Sequence, residues 1–209
     1  MTDFRPTKMT VTVNGKSIQI SNARLTDCIW FYGLMKILGE QNAAEIFEEL
    51  VESDCYEIRE AAFFTDVLSA NAIESLLDDP VEEIVLMLQE SLKEAQAKLL
   101  NQETILTLIN RSPLIASNMA VLLGVVDWEG ADVNLTELFT ILSEHPDPAV
   151  RAQIAAREFK TFPGNVMVAT KKTRTPKYLL EKLAKDDDRD VAEIAMKTLE
   201  VYEGEINHE

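Results

Sequence analysis

Cysteine is scarce in this 209-residue chain: only Cys28 and Cys55 occur, in different segments. They form no Cys-x-x-Cys pair, so a zinc site built on cysteines is excluded and a disulfide framework is not expected. Reduced thiols in a cytoplasmic protein are the natural expectation. Histidine is equally scarce, with His145 and His208 alone. Neither sits in an HExxH pattern, and no GxSxG, GxxxxGK[ST] or GxGxxG motif occurs. We therefore expect no metal site, no cofactor and no enzymatic activity. Glycine and proline number seven each, too few for a sheet protein rich in tight turns. Long apolar runs are missing too. The richest, CIWFYGLMKIL from Cys28 to Leu38, is eleven residues and contains Lys36, whereas a membrane span needs ~20. The opening MTDFRPTKMTVTV lacks the charged-then-apolar pattern of a leader.

Positive charge is also in short supply. Twenty Lys and Arg face thirty-six Asp and Glu, for a net charge of −16 and a pI near 4.5. Such a chain is repelled by a phosphate backbone unless its charges are segregated, and here they are. Residues 40 to 94 hold sixteen acids against Arg59 and Lys93. Residues 151 to 177 hold Arg151, Arg157, Lys160, Lys171, Lys172, Arg174 and Lys177 against Glu158 alone.

What is present is mostly helical punctuation. MTVTVNGKSIQI alternates strictly around Asn14-Gly15, a pair suited to the positive φ angles of a type I′ turn. This predicts a β-hairpin with Val13 opposite Lys16, Val11 opposite Ile18 and Met9 opposite Ile20. Its apolar face must rest on something, either the chain's own helices or a second copy. Asp27 and Gly39 suit the two ends of a following helix. Beyond it, one pattern recurs five times. A Leu closes one helix and a short polar break follows, with an apolar or small residue eight positions after the Leu. The pairs are Leu50 and Ile58, Leu76 and Ile84, Leu108 and Ala116, Leu142 and Val150, Leu183 and Val191. Asp79-Pro80, Ser112-Pro113, Asp147-Pro148 and Thr175-Pro176 each place a capping side chain before a proline, which suits a first helical position. Asp79 with Glu82, and Asn134 with Glu137, have capping-box spacing.

DPAVRAQIA, and TPKYLLEKLAKDDDRDVAEIA after it, resemble HEAT-like repeats of the leucine-rich-repeat-variant type, best over residues 135–200. The resemblance implies an all-α fold: an irregular α-solenoid-like stack of helical hairpins, here fronted by the short N-terminal β-hairpin. HEAT-like DNA glycosylases resemble the chain in architecture only. They need a basic concave face with aromatic residues, whereas the early copies here are acidic and the only tryptophans are Trp30 and Trp128.

His145, between Glu144 and Asp147, falls in a repeat turn. With no second histidine nearby it reads as incidental, Asp147 as a helix cap and Arg151 as an exposed residue of the next helix. The run Asp186-Asp187-Asp188-Arg189-Asp190 fails the EF-hand pattern. Counting from Asp186, the sixth and twelfth positions hold Val191 and Lys197 rather than Gly and Glu, so the run reads as an acidic turn with one capping residue. Trp128 reads as an aromatic plug at a helix junction. The basic stretch 157–177 interrupts the repeats and reads as a long loop turning at Phe162-Pro163-Gly164-Asn165.

These observations predict an N-terminal arm and hairpin over 1–25, a single helical-repeat domain over 26–203 and a frayed tail over 204–209. The leading functional expectation is a non-enzymatic protein–protein interaction module or adaptor. Its contact residues would be Lys171, Lys172, Arg174 and Lys177 on the basic loop. A second surface would comprise Glu48, Glu49, Glu52, Asp78, Asp79, Glu82 and Glu83. An alternative reads those acids as phosphate mimics of an inhibitor of a DNA- or RNA-binding enzyme. A further alternative is a nucleic-acid binder using the 151–177 patch. A protein partner is expected, with no membrane contact, and self-association could run through the hairpin.

Overall fold

A computed structural model of the chain describes residues 8–13, 16–21, 48, 50–54, 56–61, 68–156, 158–161, 165–168 and 173–206. These residues are predominantly helical, and they belong to two compact units, Met1–Ser91 and Leu92–Glu209.

In the first unit, strands β1 (Lys8–Val13) and β2 (Lys16–Ser21) pair antiparallel, with Val13 opposite Lys16, Val11 opposite Ile18 and Met9 opposite Ile20. The turn at Asn14-Gly15, the surface on which this pair rests and the helix expected between Asp27 and Gly39 lie outside the described residues. Helices α1 (Tyr56–Ala61), α2 (Ala70–Leu77) and α3 (Glu82–Ser91) follow. Ser69 opens α2 by accepting the amide of Ala72 at 3.1 Å. The 3.6-residue period then puts Ala72, Ile73, Leu76 and Leu77 on one buried face. On α3, Ile84, Val85 and Leu88 are buried, and α3 packs against both α1 and α2.

The second unit begins with α4 (Glu94–Ala97), α5 (Gln102–Arg111) and α6 (Pro113–Val125). It continues with α7 (Leu135–Ser143) and α8 (Pro148–Ala155). After these come strands β3 (Glu158–Thr161) and β4 (Asn165–Val168), then α9 (Lys177–Leu183) and α10 (Arg189–Ile206). The helix starts are chemically marked. Side-chain oxygens of Asn101, Ser112, Asn134 and Asp147 accept amides of Thr104, Ile115, Glu137 and Ala149 at 2.9, 3.2, 3.3 and 2.8 Å. Asp188 does the same for α10, accepting from Asp190 and Val191. Each cap satisfies a donor that the first helical turn leaves without a partner.

Successive helices pack as pairs: α5 on α6, α7 on α8, α9 on α10. The second members α6, α8 and α10 lie side by side, and α7 meets α9. Leu108, Leu142 and Leu183 are buried with Ala116, Val150 and Val191, and Leu50, Leu76 and Ile84 are buried in the first unit. The side chain of Ile58 lies outside the described residues. Helix α6 buries a wide face, at Ile115, Ala116, Met119, Ala120, Leu122 and Leu123, and leaves Leu114 exposed. The reason is its position, with α5, α7, α8 and β4 all packed against it. The loop to α7 is sealed by buried Val126 and Trp128. It turns at Gly130, whose φ of +83° is a conformation that favours glycine.

Three expectations are corrected here. The basic stretch is not simply a loop, because β3 and β4 pair antiparallel within it, Glu158 opposite Val168 and Thr161 opposite Asn165. Thr175 does not cap α9, whose N-cap is Pro176. Its hydroxyl instead donates to the carbonyl of Ile154 at 2.6 Å. Thr173 donates to Gly124 at 2.6 Å and Thr198 to Ala155 at 2.7 Å. These three buried threonines satisfy carbonyls at the C-terminal ends of α6 and α8, where the helix itself supplies no donor. Finally, α10 runs to Ile206, into the segment expected to be a tail.

Candidate protein-binding surfaces

One arrangement appears in both units. Arg59 grips Asp79 with two hydrogen bonds, Nε to Oδ2 at 2.5 Å and Nη2 to Oδ1 at 3.0 Å, while its Nη1 donates to the carbonyl of Ser53 at 2.6 Å. Arg151 grips Asp186 in the same way, Nε to Oδ2 at 2.7 Å and Nη2 to Oδ1 at 2.8 Å. Its Nη1 donates to the carbonyls of His145 at 2.8 Å and Pro146 at 3.0 Å. The sequence positions coincide. Each arginine stands nine residues after an anchoring leucine, Leu50 or Leu142, and its carbonyl acceptor stands three residues after that leucine. Each aspartate stands three residues after the leucine of the next copy, Leu76 or Leu183. Helical geometry explains the repetition, since a residue at a fixed offset from a packed leucine must face the same neighbour. Planar, forked guanidinium suits two-point recognition of carboxylate.

The aspartates also shape their own turns. Asp79 Oδ1 accepts the amide of Val81 at 2.8 Å, and Asp186 Oδ1 accepts that of Asp188 at 2.9 Å. The hydrogen bonds from Arg151 hold the Asp186 carboxyl below the usual carboxylate range, and the same contact raises the pKa of Arg151. Copy three carries neither half of this clamp, with Arg111 in the aspartate position and Ser117 in the arginine position.

Each clamp floors a shallow cleft. In the first unit its rim includes Glu52, Asp54, Tyr56 and Asp78. In the second it includes Glu144, His145, Lys182, Lys185 and Asp187. Lys182 bridges to Glu144 at 2.6 Å. His145 accepts the amide of Asp147 on Nδ1 at 3.1 Å, so the histidine belongs to the turn that presents Arg151.

The predicted contact residues do not behave alike. Asp79 is not a surface acid: it is 3% exposed, with both carboxylate oxygens on Arg59. Arg151 is not an exposed helix residue, because its side chain is largely covered and bound to Asp186. Arg174 is not a free loop cation, since its guanidinium lies 4.0 Å from the ring centroid of Tyr202. The Tyr202 hydroxyl in turn donates to the carbonyl of Thr175. Glu48, Asp78 and Glu83 are exposed, Glu82 is partly covered, and exposed Glu52 accepts the hydroxyl of Ser75 at 2.6 Å. Lys177 is exposed, 3.9 Å from Glu181. Glu49, Lys171 and Lys172 lie outside the described residues.

Among the described residues, no group of His, Cys, Asp and Glu is placed to hold a metal, and no helix is long and apolar enough to cross a membrane. No protein-family model and no curated protein sequence matches the chain. The clamp's sequence signal lies one residue beyond the leucine-to-eighth-residue pattern. The ninth holds Arg59 and Arg151, and an aspartate follows Leu76 and Leu183 by three.

Proposed function

We propose that this chain is a non-enzymatic protein–protein interaction module or adaptor, built as a right-handed, α-solenoid-like stack of HEAT-like hairpins and fronted by an N-terminal β-hairpin. The supporting observation is the recurrence of one guanidinium–carboxylate clamp at the same repeat position, together with the side-by-side packing of α6, α8 and α10. Such stacks offer extended surfaces suited to macromolecules. The working surface is the acidic one, with Glu48, Glu52, Asp78 and Glu83 exposed and half-exposed Tyr56 lining the same cleft as Glu52 and Asp78. Its partner presents cations, and with both cysteines reduced the encounter takes place in the cytoplasm. The test is capture of partners by the intact protein, compared with a Glu48→Gln, Glu52→Gln, Glu83→Gln variant and with Lys177→Glu. Loss of the partner in the acidic variant alone supports this surface. Loss in Lys177→Glu alone moves the site to the basic side, and loss in neither defeats the reading.

A second reading is a nucleic-acid mimic that blocks a DNA- or RNA-binding enzyme through the same acids and Glu49. The observation that favours it is charge economy. Arg59 is the one basic residue between positions 48 and 91, and its charge is spent on Asp79. A mimic is displaced from its target by DNA or RNA, and an adaptor is not. Direct nucleic-acid binding has less to draw on, because Arg151 and Arg174 are already engaged. It is tested by a mobility-shift assay at low salt.

A further inference from the structure

Helices α8 and α10 occupy matching places in successive pairs, but their matching residues meet different surroundings. Placing Leu142 on Leu183 places Val150 on Val191, Arg151 on Ala192 and Ala155 on Met196. Val150 and Val191 are both buried. Arg151 and Ala155 form the flank of α8 that meets the next pair. Arg151 holds Asp186, and Ala155 is 0% exposed, with its carbonyl accepting the Thr198 hydroxyl. On α10 the same flank is Ala192 and Met196, followed by Leu199. Met196 is 48% exposed, and Ala192 and Leu199 are partly exposed. The seam that joins α6 to α8 and α8 to α10 thus continues onto an open apolar strip. Its spacing of four and then three residues is that of a seam between two helices.

Charge selects the occupant. Arg189 stands at the N-terminal end of the strip and Glu200 near its far end, and both are exposed. At 100° per residue they fall within about 20° of each other around the helix. Two α10 helices laid antiparallel bring Arg189 of each toward Glu200 of the other, twice. A parallel arrangement sets like charge against like. The strip therefore carries its own complement, as an isologous two-fold contact requires. Glu193 and Lys197 pair with each other at 2.7 Å within the helix, on the side of α10 away from Leu199.

We propose that this outer flank of α10 is a docking seam for a second copy of the chain, packed antiparallel along Ala192, Met196 and Leu199. The seam is independent of the partner surface proposed above. Sedimentation equilibrium of the full chain, carried to roughly 1 mM, should show a concentration-dependent dimer. Met196→Glu should return the monomer at the same concentrations without changing the melting temperature of the dilute protein. Arg189→Glu should weaken the dimer roughly three- to tenfold through loss of two exposed ion pairs. Combining Arg189→Glu with Glu200→Arg should restore it. A wild-type chain that stays monomeric overturns the proposal. So does a dimer indifferent to Met196→Glu, or a double variant no tighter than Arg189→Glu alone.

Discussion

The two clamps are the same device in unlike settings. Arg59 and Asp79 are twenty residues apart in the chain, Arg151 and Asp186 thirty-five. The extra length holds β3 and β4, yet the guanidinium reaches its carboxylate with the same two-point geometry. Chain separation is therefore irrelevant to the contact. What matters is the offset of each residue from a buried leucine, because packing of that leucine fixes which neighbour the offset faces. The clamps differ in burial. Side-chain exposure is 10% and 2% for Arg59 and Asp79, against 16% and 10% for Arg151 and Asp186. A more buried ion pair gains more from its partner and loses more when one half is removed. The surroundings differ too. Among the described residues Arg59 is the one cation lining its cleft, whereas Arg151 shares its own with Lys182 and Lys185.

This difference can be broken experimentally, starting at the larger effect. Arg59→Ala leaves a buried carboxylate without its cation, and the cost should be about 3–5 kcal/mol, read from denaturant unfolding. Arg151→Ala should cost less, about 2–3 kcal/mol by the same measurement, because water reaches that pair more easily. A loss at Arg151 equal to or above that at Arg59 would mean that burial does not rank the clamps.

Acid should come next. The folded pKa of Asp186 lies below its ordinary value. The stabilisation it carries is therefore complete above about pH 4, the unfolded carboxylate pKa, and is lost as pH falls through the folded value. Asp186→Asn should flatten the acid limb of a stability–pH profile in that window. The smallest effect belongs to the exposed acids. Glu83→Gln should change stability by less than about 0.5 kcal/mol, while Glu48→Gln, Glu52→Gln and Glu83→Gln together weaken partner capture. Large destabilisation by that triple change would make these acids part of the scaffold.

Much of the helical framework was legible because its signals are local. Ser112-Pro113 and Asp147-Pro148 cap and start α6 and α8 as their chemistry requires. The leucines at 76, 108, 142 and 183 are buried. Legibility failed where a side chain had two uses. Asp79 and Thr175 both stand before a proline and both read as caps. Asp79 does both, accepting the amide of Val81 in its own turn and holding Arg59 of the preceding copy, whereas Thr175 answers the carbonyl of Ile154 twenty-one residues away. Two cations of the 151–177 charge patch are diverted for a related reason. Seven cations in a short stretch read as one surface, but a linear run says nothing of where each side chain goes. Arg151 went to Asp186 and Arg174 to the ring of Tyr202. Thr173 and Thr175 tie that segment to the C-terminal ends of α6 and α8, where a nearby cation is favoured by the helix dipole.

The sequence by itself determined the helical class, the positions of most breaks and the acidic balance, because capping, periodicity and net charge depend on neighbours in the chain. Only the tertiary structure decided which charges are available. Arg59, Asp79, Arg151 and Asp186 look on paper like surface residues of an acidic protein. Folding brings each opposite its counterion across a helix pair, where loss of water makes the forked contact worth holding. That pairing is a property of packed leucines twenty or more residues apart, which no local reading of charge contains.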